Sequence, residues 1–192
     1  MPTRRNRSAR CLGAAALAVL SLAASPAAAS ASCPDVPSSQ ALLAFGDSND
    51  YFLAPGGSFE GYNSWERSGF VHREDALKPF SLAGPNALEI APGAAATSPE
   101  FCVSEIHPHL RYLARSASAA GSMRVDAIED GIATPLGVVD GTRHGSWALS
   151  APVPLAPALD IAPDASRTVR LRFTAVEGEW KIDGVYVDPY RR

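Results

Sequence analysis

The amino-acid sequence predicts an all-β protein, a sandwich or a barrel built from many short strands. Its 15 glycines and 16 prolines punctuate the 192 residues at short intervals. Between them lie segments in which apolar and polar residues alternate, which is the pattern of a strand with one buried face. After residue 40 the chain shows no stretch with the periodicity of an amphipathic helix. With 46% hydrophobic and 19% charged residues, the composition excludes a disordered chain, a coiled coil and a collagen-like repeat.

The predicted strands follow from this alternation. The clearest covers residues 169–175, where apolar and polar residues alternate strictly. A second covers 180–187 and follows the turn Glu177-Gly178-Glu179, so we expect these two strands to form a hairpin. A third covers 123–128. Further predicted strands are 41–45, 51–54, 70–73, 87–91, 110–114, 134–139, 146–149 and 159–162.

The first 29 residues have the layout of an export signal. The first ten contain four arginines and no acidic residue, residues 11–24 form an apolar run, and Ala27-Ala28-Ala29 supplies small residues for cleavage. The run is shorter than the roughly 20 residues of a membrane-spanning helix. We therefore expect a signal peptide over 1–29, a flexible tail over 30–40 and a single domain over 41–192. The mature protein would be secreted or lie outside the cell envelope, without a membrane span.

The charge of the predicted mature chain restricts its partners. Removing the signal takes away four of the 17 basic residues and none of the 20 acidic residues, which leaves a net charge of −7. An acidic domain has no general attraction to nucleic acid or to anionic membranes. The sequence therefore predicts no nucleic-acid partner.

The cysteines agree with an oxidising compartment. Cys11 lies in the predicted signal, so the mature chain retains only Cys33 and Cys102. Two cysteines outside the cytosol are expected to pair. A structural zinc site would need more ligands than these two side chains supply. We expect a Cys33–Cys102 disulfide.

Two motifs at opposite ends of the predicted domain resemble known domains. The first is Gly56-Gly57-Ser58-Phe59-Glu60-Gly61 followed by Trp65, and the second is the closing run WKIDGVYVDP, residues 180–189. In this order they resemble the opening and closing segments of carbohydrate-binding modules and galactose-binding-like domains. Residues 41–190 are also similar to an uncharacterised group of secreted actinobacterial proteins. The chain departs from the pattern at Gly57, near which asparagine is usual, and at Gly184, which replaces an aspartate.

The resemblance implies a jelly-roll sandwich of two antiparallel sheets and a non-catalytic, carbohydrate-binding function. It also implies a structural calcium ion held by Glu60 and Asp183, because the equivalent acids of these modules lie at adjoining strand ends. Calcium takes six to eight oxygen ligands, so backbone carbonyls of the glycine-rich loop would complete the set. The alternative is that both acids are solvated or pair with Lys181 or an arginine.

A row of arginines is the candidate ligand-binding surface. Arginines alternate with apolar residues on several predicted strands, and an aspartate shares their face. Guanidinium groups beside an aromatic ring can hold a sugar. The alternative is a solvent-facing sheet on which the arginine stems cover apolar surface. The candidate residues are Arg111, Tyr112, Arg124, Asp126, Trp147, Arg170 and Arg172, with Trp65 as a third possible platform, although Trp65 and Trp180 are expected in the core.

Other functions stay open beside carbohydrate binding. One is a structural or protein-interaction module of the envelope without a small ligand. Another is an ester hydrolase, because an apolar segment leading into Gly46-Asp47-Ser48 resembles the nucleophile block of GDSL-type esterases. The nearest partner motif, Asp140 to His144, has one residue too many, so a structural turn is the preferred interpretation. His107 and His109 lack a third ligand for a metal and are expected in a turn before a strand.

Overall fold

The computed structural model describes residues 32–61, 64–75 and 83–189, and the predicted signal peptide over 1–29 lies outside them. The described residues form an all-β fold, which confirms the predicted class. None of their helices is long and apolar enough to cross a membrane. In chain order the strands are β1 (Phe52–Leu53), β2 (Glu66–Ser68), β3 (Val71–Asp75), β4 (Asn86–Ile90), β5 (Ala95–Thr97), β6 (Phe101–Ser104), β7 (His109–Ser116), β8 (Ser122–Glu129), β9 (Ile132–Asp140), β10 (Ala148–Leu149), β11 (Val153–Pro154), β12 (Ser166–Glu177) and β13 (Trp180–Val187).

The strands form two antiparallel sheets, as a jelly-roll sandwich requires. The first sheet has the order β10-β7-β13-β4-β3, with β1 paired to β13 and β11 paired to β7. The second has the order β2-β5-β12-β8-β9, with β6 paired to β12. The core lies between them, because each long strand turns one row of apolar residues inward.

Aromatic side chains form the centre of this core. The ring of Phe173 on β12 meets Tyr112 on β7 edge-on, with centroids 4.9 Å apart, and lies 5.8 Å from the ring of Trp65. Trp180 is fully buried at the start of β13. Burying one such side chain stabilises a fold by roughly 1.5–3 kcal/mol. The expectation that Trp65 and Trp180 are core residues is confirmed.

The predicted hairpin between the last two long strands is wrong. Strand β12 pairs with β5, β6 and β8 in the second sheet, whereas β13 pairs with β1, β4 and β7 in the first. The turn at Gly178 therefore carries the chain from one sheet to the other. Alternation along a strand shows which residues face inward, but it does not show which strand lies alongside.

Two predicted strands are absent from the described residues. Residues 41–45 instead contain a 3-10 helix, Leu43–Phe45, which Gly46 ends in a left-handed conformation with φ 78°. Residues 159–162 form a turn and irregular chain. The prediction also missed β2, β5, β6 and β11, because runs of two to four residues carry too little alternation to be recognised.

The disulfide between Cys33 and Cys102 is present, as predicted. Their Cα atoms are 5.4 Å apart, and the bridge joins residues 69 positions apart in the sequence. It ties the start of the described chain to β6. Closing a loop of that length restricts the unfolded chain and is worth about 4 kcal/mol in the chain-entropy account.

The segment before β1 covers part of the outer face of the first sheet. Ser39 pairs with Tyr51 through two backbone hydrogen bonds of 2.9 and 2.8 Å. Leu42 and Tyr51 pack against Tyr186 of β13, away from the main core. Phe45 packs beside Trp147 in a second small cluster. The N-terminal segment therefore covers this face around Tyr186 and Trp147, whereas His72 and Lys181 keep 40% and 22% of their side chains exposed on it.

Gly184, the glycine that departs from the closing motif, lies at an irregularity in β13. The register against β7 shifts between Asp183 and Tyr186, and Gly184 there adopts a left-handed conformation with φ 54°. A Cβ atom at this position would also come within 3.0 Å of the Tyr186 ring. Glycine suits a bulge of this kind because it has no side chain to strain the backbone.

Candidate ligand-binding face

The outer face of the second sheet holds four of the predicted site residues. On β8, Arg124 and Asp126 alternate with core residues, and on β12 Arg170 and Arg172 do the same. Antiparallel pairing places Arg172 opposite Asp126 and Arg124 opposite Thr174. We call the surface formed by Arg124, Asp126, Arg170 and Arg172 the arginine face. It lies on the opposite side of the sandwich from the outer face of the first sheet.

Asp126 fixes two of these arginines. Its Oδ2 atom accepts hydrogen bonds from Arg124 Nε at 3.0 Å, and from Arg172 Nε and Nη2 at 3.2 and 2.9 Å. The two guanidinium groups cover the carboxylate, so only 2% of the Asp126 side chain is exposed. The arginine side chains themselves remain 43% and 30% exposed. One buried acid therefore holds two accessible cations in place.

Arg170 is held by different partners. Its Nε donates to the Ser98 carbonyl oxygen at 2.9 Å, and its Nη2 forms a 2.8 Å ion pair with Glu66 of β2. The Ser98 hydroxyl in turn accepts from the Leu171 amide at 2.8 Å. Beside Arg170 lies a polar depression of 390 Å³, whose lining includes Glu100 and Asp130. This end of the arginine face carries acidic groups.

A larger cleft adjoins the arginine face at the edge of the sandwich. It has a volume of 610 Å³ and lies between β9 of the second sheet and β10–β11 of the first. Its lining combines apolar residues of both edges with Asp140 and Arg143. Val138, which is 68% exposed, lines the cleft and is also the register partner of Arg124. The arginine face and the cleft thus meet at Val138.

Arg111 does not belong to the same row, which corrects the expected single face. It lies on β7 in the first sheet, where its guanidinium forms a 2.5 Å ion pair with Asp47 and donates to the Ser150 carbonyl oxygen at 3.1 and 2.8 Å. The sequence pattern correctly placed the four candidate arginines on positions that alternate with core residues. It did not show that the strands belong to two sheets.

The predicted aromatic platforms are not available for stacking on the arginine face. Tyr112 is fully buried in the core, and this burial raises the pKa of its hydroxyl. Trp65 is also a core residue. Trp147 is buried against Ala87 and Leu113 on the outer side of the first sheet. Successive residues of a strand point to opposite faces of its sheet, so aromatic residues next to the arginines in sequence do not share their face. Large aromatic side chains are mostly buried.

The two acids of the expected calcium site have different surroundings. Both Glu60 oxygens accept hydrogen bonds from Asn86, one from its amide at 2.7 Å and one from its side chain at 2.5 Å. Asp183 is fully buried on β13, next to the bulge. No group of three or more His, Cys, Asp or Glu side chains in the described residues could hold a metal ion. These two side chains do not make a metal site by themselves, and calcium binding stays a prediction.

The segment around Ser48 is built as a structural turn. Burial disfavours the charged form of Asp47, but hydrogen bonds from the Tyr51 hydroxyl, the Asn49 amide and Arg111 hold the Asp47 pKa below its usual value. Ser48 is exposed and its carbonyl oxygen accepts from Gln40 at 2.9 Å. Within the described residues, no base is hydrogen-bonded to the Ser48 hydroxyl. The geometry that activates a serine nucleophile is therefore not formed there.

Of the three histidines considered as partners or ligands, His109 is the first residue of β7 and not part of a turn before it, and the other two serve other contacts. His144 is buried against Trp180 and its Nδ1 donates to the Asp140 carbonyl oxygen at 3.1 Å. His107 lies before β7, as expected, and its Nδ1 accepts from the Ser104 amide at 2.9 Å. Burial lowers the pKa of His107. Both rings are therefore packed parts of the fold.

Comparison with known proteins adds information on the fold. No protein-family profile and no curated protein matches the sequence. Among solved structures, the chain is similar to the CBM22-1–GH10 modules of a Clostridium thermocellum endo-1,4-β-D-xylanase solved with xylohexaose (11% identity, 74% of this chain and 28% of that chain, TM-score 0.51). A carbohydrate-binding module of lichenase 5A from Cellvibrio mixtus, solved with cellotriose, matches at 16% identity over 72% of this chain and 95% of that chain (TM-score 0.48). A family two carbohydrate esterase from Cellvibrio japonicus matches at 10% identity over 74% of this chain and 34% of that chain (TM-score 0.42).

Identities this low carry no information on ligands or activity, because the same sandwich serves many functions. The likeness to the xylanase modules, together with the two antiparallel sheets, shows that this chain has the jelly-roll sandwich fold.

Proposed function

We propose that the protein is a secreted, non-catalytic carbohydrate-binding module whose ligand lies on the arginine face. One observation carries the proposal: Asp126 holds Arg124 and Arg172 in fixed positions on an open sheet face. The outer face of the other sheet is partly covered by the chain's own N-terminal segment. The export signal expected over 1–29 supports a location outside the cell.

The chemistry of the arginine face suits sugar hydroxyls. Three N–H groups of Arg124 and Arg172 bind Asp126, and the others are left to donate to a ligand. Because the guanidinium groups are already positioned, little side-chain entropy is lost when a ligand binds. Exposed Val138 and Pro135 on neighbouring β9 provide apolar surface for the C–H faces of a sugar ring. The cleft beyond Val138 gives a chain of sugars room to continue.

The same geometry argues against a hydrolytic role for the central carboxylate. A glycosidase acid or base must exchange a proton with the substrate. Asp126 is buried beneath two guanidinium groups, and its Oδ2 atom already accepts three hydrogen bonds. Its role in the proposal is to position the arginines.

The test is a binding screen of the purified protein against soluble and insoluble polysaccharides, including xylan, mixed-linkage β-glucan, galactan and pectin. We expect specific binding to at least one polymer, and about tenfold weaker binding for Arg124→Ala, a change of about 1.4 kcal/mol. The matched control is Arg167→Ala, since Arg167 is also on β12 but pairs with Glu129 outside the arginine face. Absence of binding across the screen would refute the proposal and favour a protein-interaction module.

A further inference from the structure

We propose that the ligand of the arginine face is an acidic polysaccharide, bound through a carboxylate or sulfate group by Arg124 and Arg172 together. This inference rests on the proposed function and gives its ligand a chemical class.

The arginine face carries a local excess of positive charge around Asp126. Arg124 and Arg172 share the single carboxylate of Asp126, so the three side chains carry a net charge of +1. Neither arginine has another ion-pair partner among the described residues. The whole chain has a net charge of −3, so this excess differs in sign from the protein around it. A ligand with one negative group would neutralise it.

Arg124 and Arg172 differ from the other arginines of the second sheet in their ion pairs. Arg170 pairs with Glu66 at 2.8 Å, and Arg167 pairs with Glu129 at 2.8 Å, so each of these cations has its own carboxylate. Glu100 and Asp130 line the depression beside Arg170 and would repel an anion there. The acidic group of a ligand therefore fits at Arg124 and Arg172, toward Val138 and the cleft.

The geometry of the two guanidinium groups also suits an anionic ligand. A guanidinium group is planar and presents parallel N–H donors that match the two oxygens of a carboxylate or sulfate. Asp126 engages Arg124 only through Nε, which leaves both terminal nitrogens of Arg124 without a partner in the described chain. Arg172 uses Nε and Nη2, which leaves Nη1. Fixed donors on two neighbouring strands can hold an anion that neither arginine would hold as firmly alone.

The experiment compares charged and uncharged forms of one polymer. The probes are polygalacturonate, the same polymer after reduction of its carboxyl groups, dextran sulfate, dextran and xylan, each titrated calorimetrically. We expect at least one acidic polymer to bind, and its uncharged counterpart to bind about tenfold more weakly or not at all. Binding should also be lost at about 1 M salt, where the Debye length falls to about 3 Å. Polygalacturonate and dextran sulfate distinguish a carboxylate from a sulfate.

Variants localise the binding. Arg124→Gln removes one cation from the shared pair, and Arg167→Gln removes the same charge from a paired arginine elsewhere in the sheet. We expect Arg124→Gln to lose acidic-polymer binding about tenfold and Arg167→Gln to change it less than about twofold. Arg124→Lys should restore only part of the loss, because an ammonium group lacks the planar pair of donors. Circular dichroism and melting curves confirm that each variant is folded.

The outcomes separate the inference from the proposed function. Equal or tighter binding of xylan, dextran or the reduced polymer would overturn the inference and leave carbohydrate binding intact. If Arg124→Gln and Arg167→Gln weaken acidic-polymer binding equally, the binding reflects the overall charge of the protein. That result would overturn the assignment of the site to Arg124 and Arg172. Absence of binding to every polymer would overturn both the inference and the proposed function.

Discussion

Arg172 and Asp126 lie directly opposite each other on β12 and β8, with Arg172 Nη2 2.9 Å from Asp126 Oδ2. The carboxylate is almost completely buried although it is on the outer side of its sheet, because Arg124 covers it from the same strand. This ion pair joins β8 and β12 through side chains as well as through the backbone, although the two residues are 46 positions apart in the sequence.

Removing the acid should cost more stability than removing either arginine. Asp126→Ala leaves two neighbouring cations without their shared carboxylate, so we expect a loss of about 2–3 kcal/mol in the free energy of unfolding. Arg124→Ala removes a partly exposed partner, so we expect a loss below about 1 kcal/mol. Urea denaturation of the three proteins measures both values. Equal losses would mean that Asp126 stabilises the fold no more than Arg124 does.

The disulfide should contribute to stability through the unfolded chain. Mass spectrometry of the oxidised protein should find no free thiol at Cys33 or Cys102. The double variant Cys33→Ala/Cys102→Ala should be about 4 kcal/mol less stable than the oxidised protein, because its unfolded chain regains loop entropy. Reducing the unmodified protein serves as the control and should give a similar shift. An unchanged melting temperature after complete reduction would contradict the expectation.

Asp47 should contribute to stability in a pH-dependent manner. Its pKa in the folded protein lies below the ordinary value of 3.8, so the folded state favours the charged carboxylate. The resulting stabilisation is fully present above pH 3.8 and is lost as the pH falls through the folded-state pKa. Asp47→Asn should therefore reduce stability at neutral pH and flatten the acid limb of the profile. A variant profile parallel to that of the unmodified protein would refute this role.

Ser48→Ala should leave any esterase signal unchanged. The turn at Ser48 is organised by the hydrogen bonds of Asp47, and no base contacts the serine hydroxyl in the described residues. The assay is hydrolysis of a short-chain p-nitrophenyl ester by both proteins, with the melting temperature as control. If the unmodified protein hydrolyses the ester and Ser48→Ala does not, the result would support an ester hydrolase and contradict a non-catalytic binding module.

Calcium should raise the melting temperature if Glu60 and Asp183 share an ion. Binding to the folded state alone stabilises by about 2.7 kcal/mol when the ion is at a hundredfold excess over Kd. We expect millimolar calcium to raise the melting temperature by several degrees and EDTA to reverse the rise. Glu60→Gln retains a hydrogen-bond acceptor for Asn86 but lacks the charge, so it should abolish the response. Identical melts with calcium and EDTA would leave Glu60 as a partner of Asn86 alone.

The sequence by itself determined the properties that depend on local pattern. Strict alternation over 169–175 identified the inward face of β12, and the glycines and prolines between short strands indicated a sandwich. The two cysteines left after a predicted cleavage identified the disulfide partners. In each case the information lies within a few consecutive residues or in a count, so no knowledge of neighbouring strands was needed.

Only the tertiary structure decided which strands lie side by side. An arginine on β7 and an arginine on β8 have the same local pattern, yet Arg111 binds Asp47 on the first sheet and Arg124 binds Asp126 on the second. The chain crosses between sheets at Gly178, where a hairpin was expected. Alternation specifies a side of a strand, whereas pairing is specified by packing among residues far apart in sequence. For this reason the sequence alone identified the candidate arginines, whereas the tertiary structure showed that Arg124 and Arg172 share the carboxylate of Asp126.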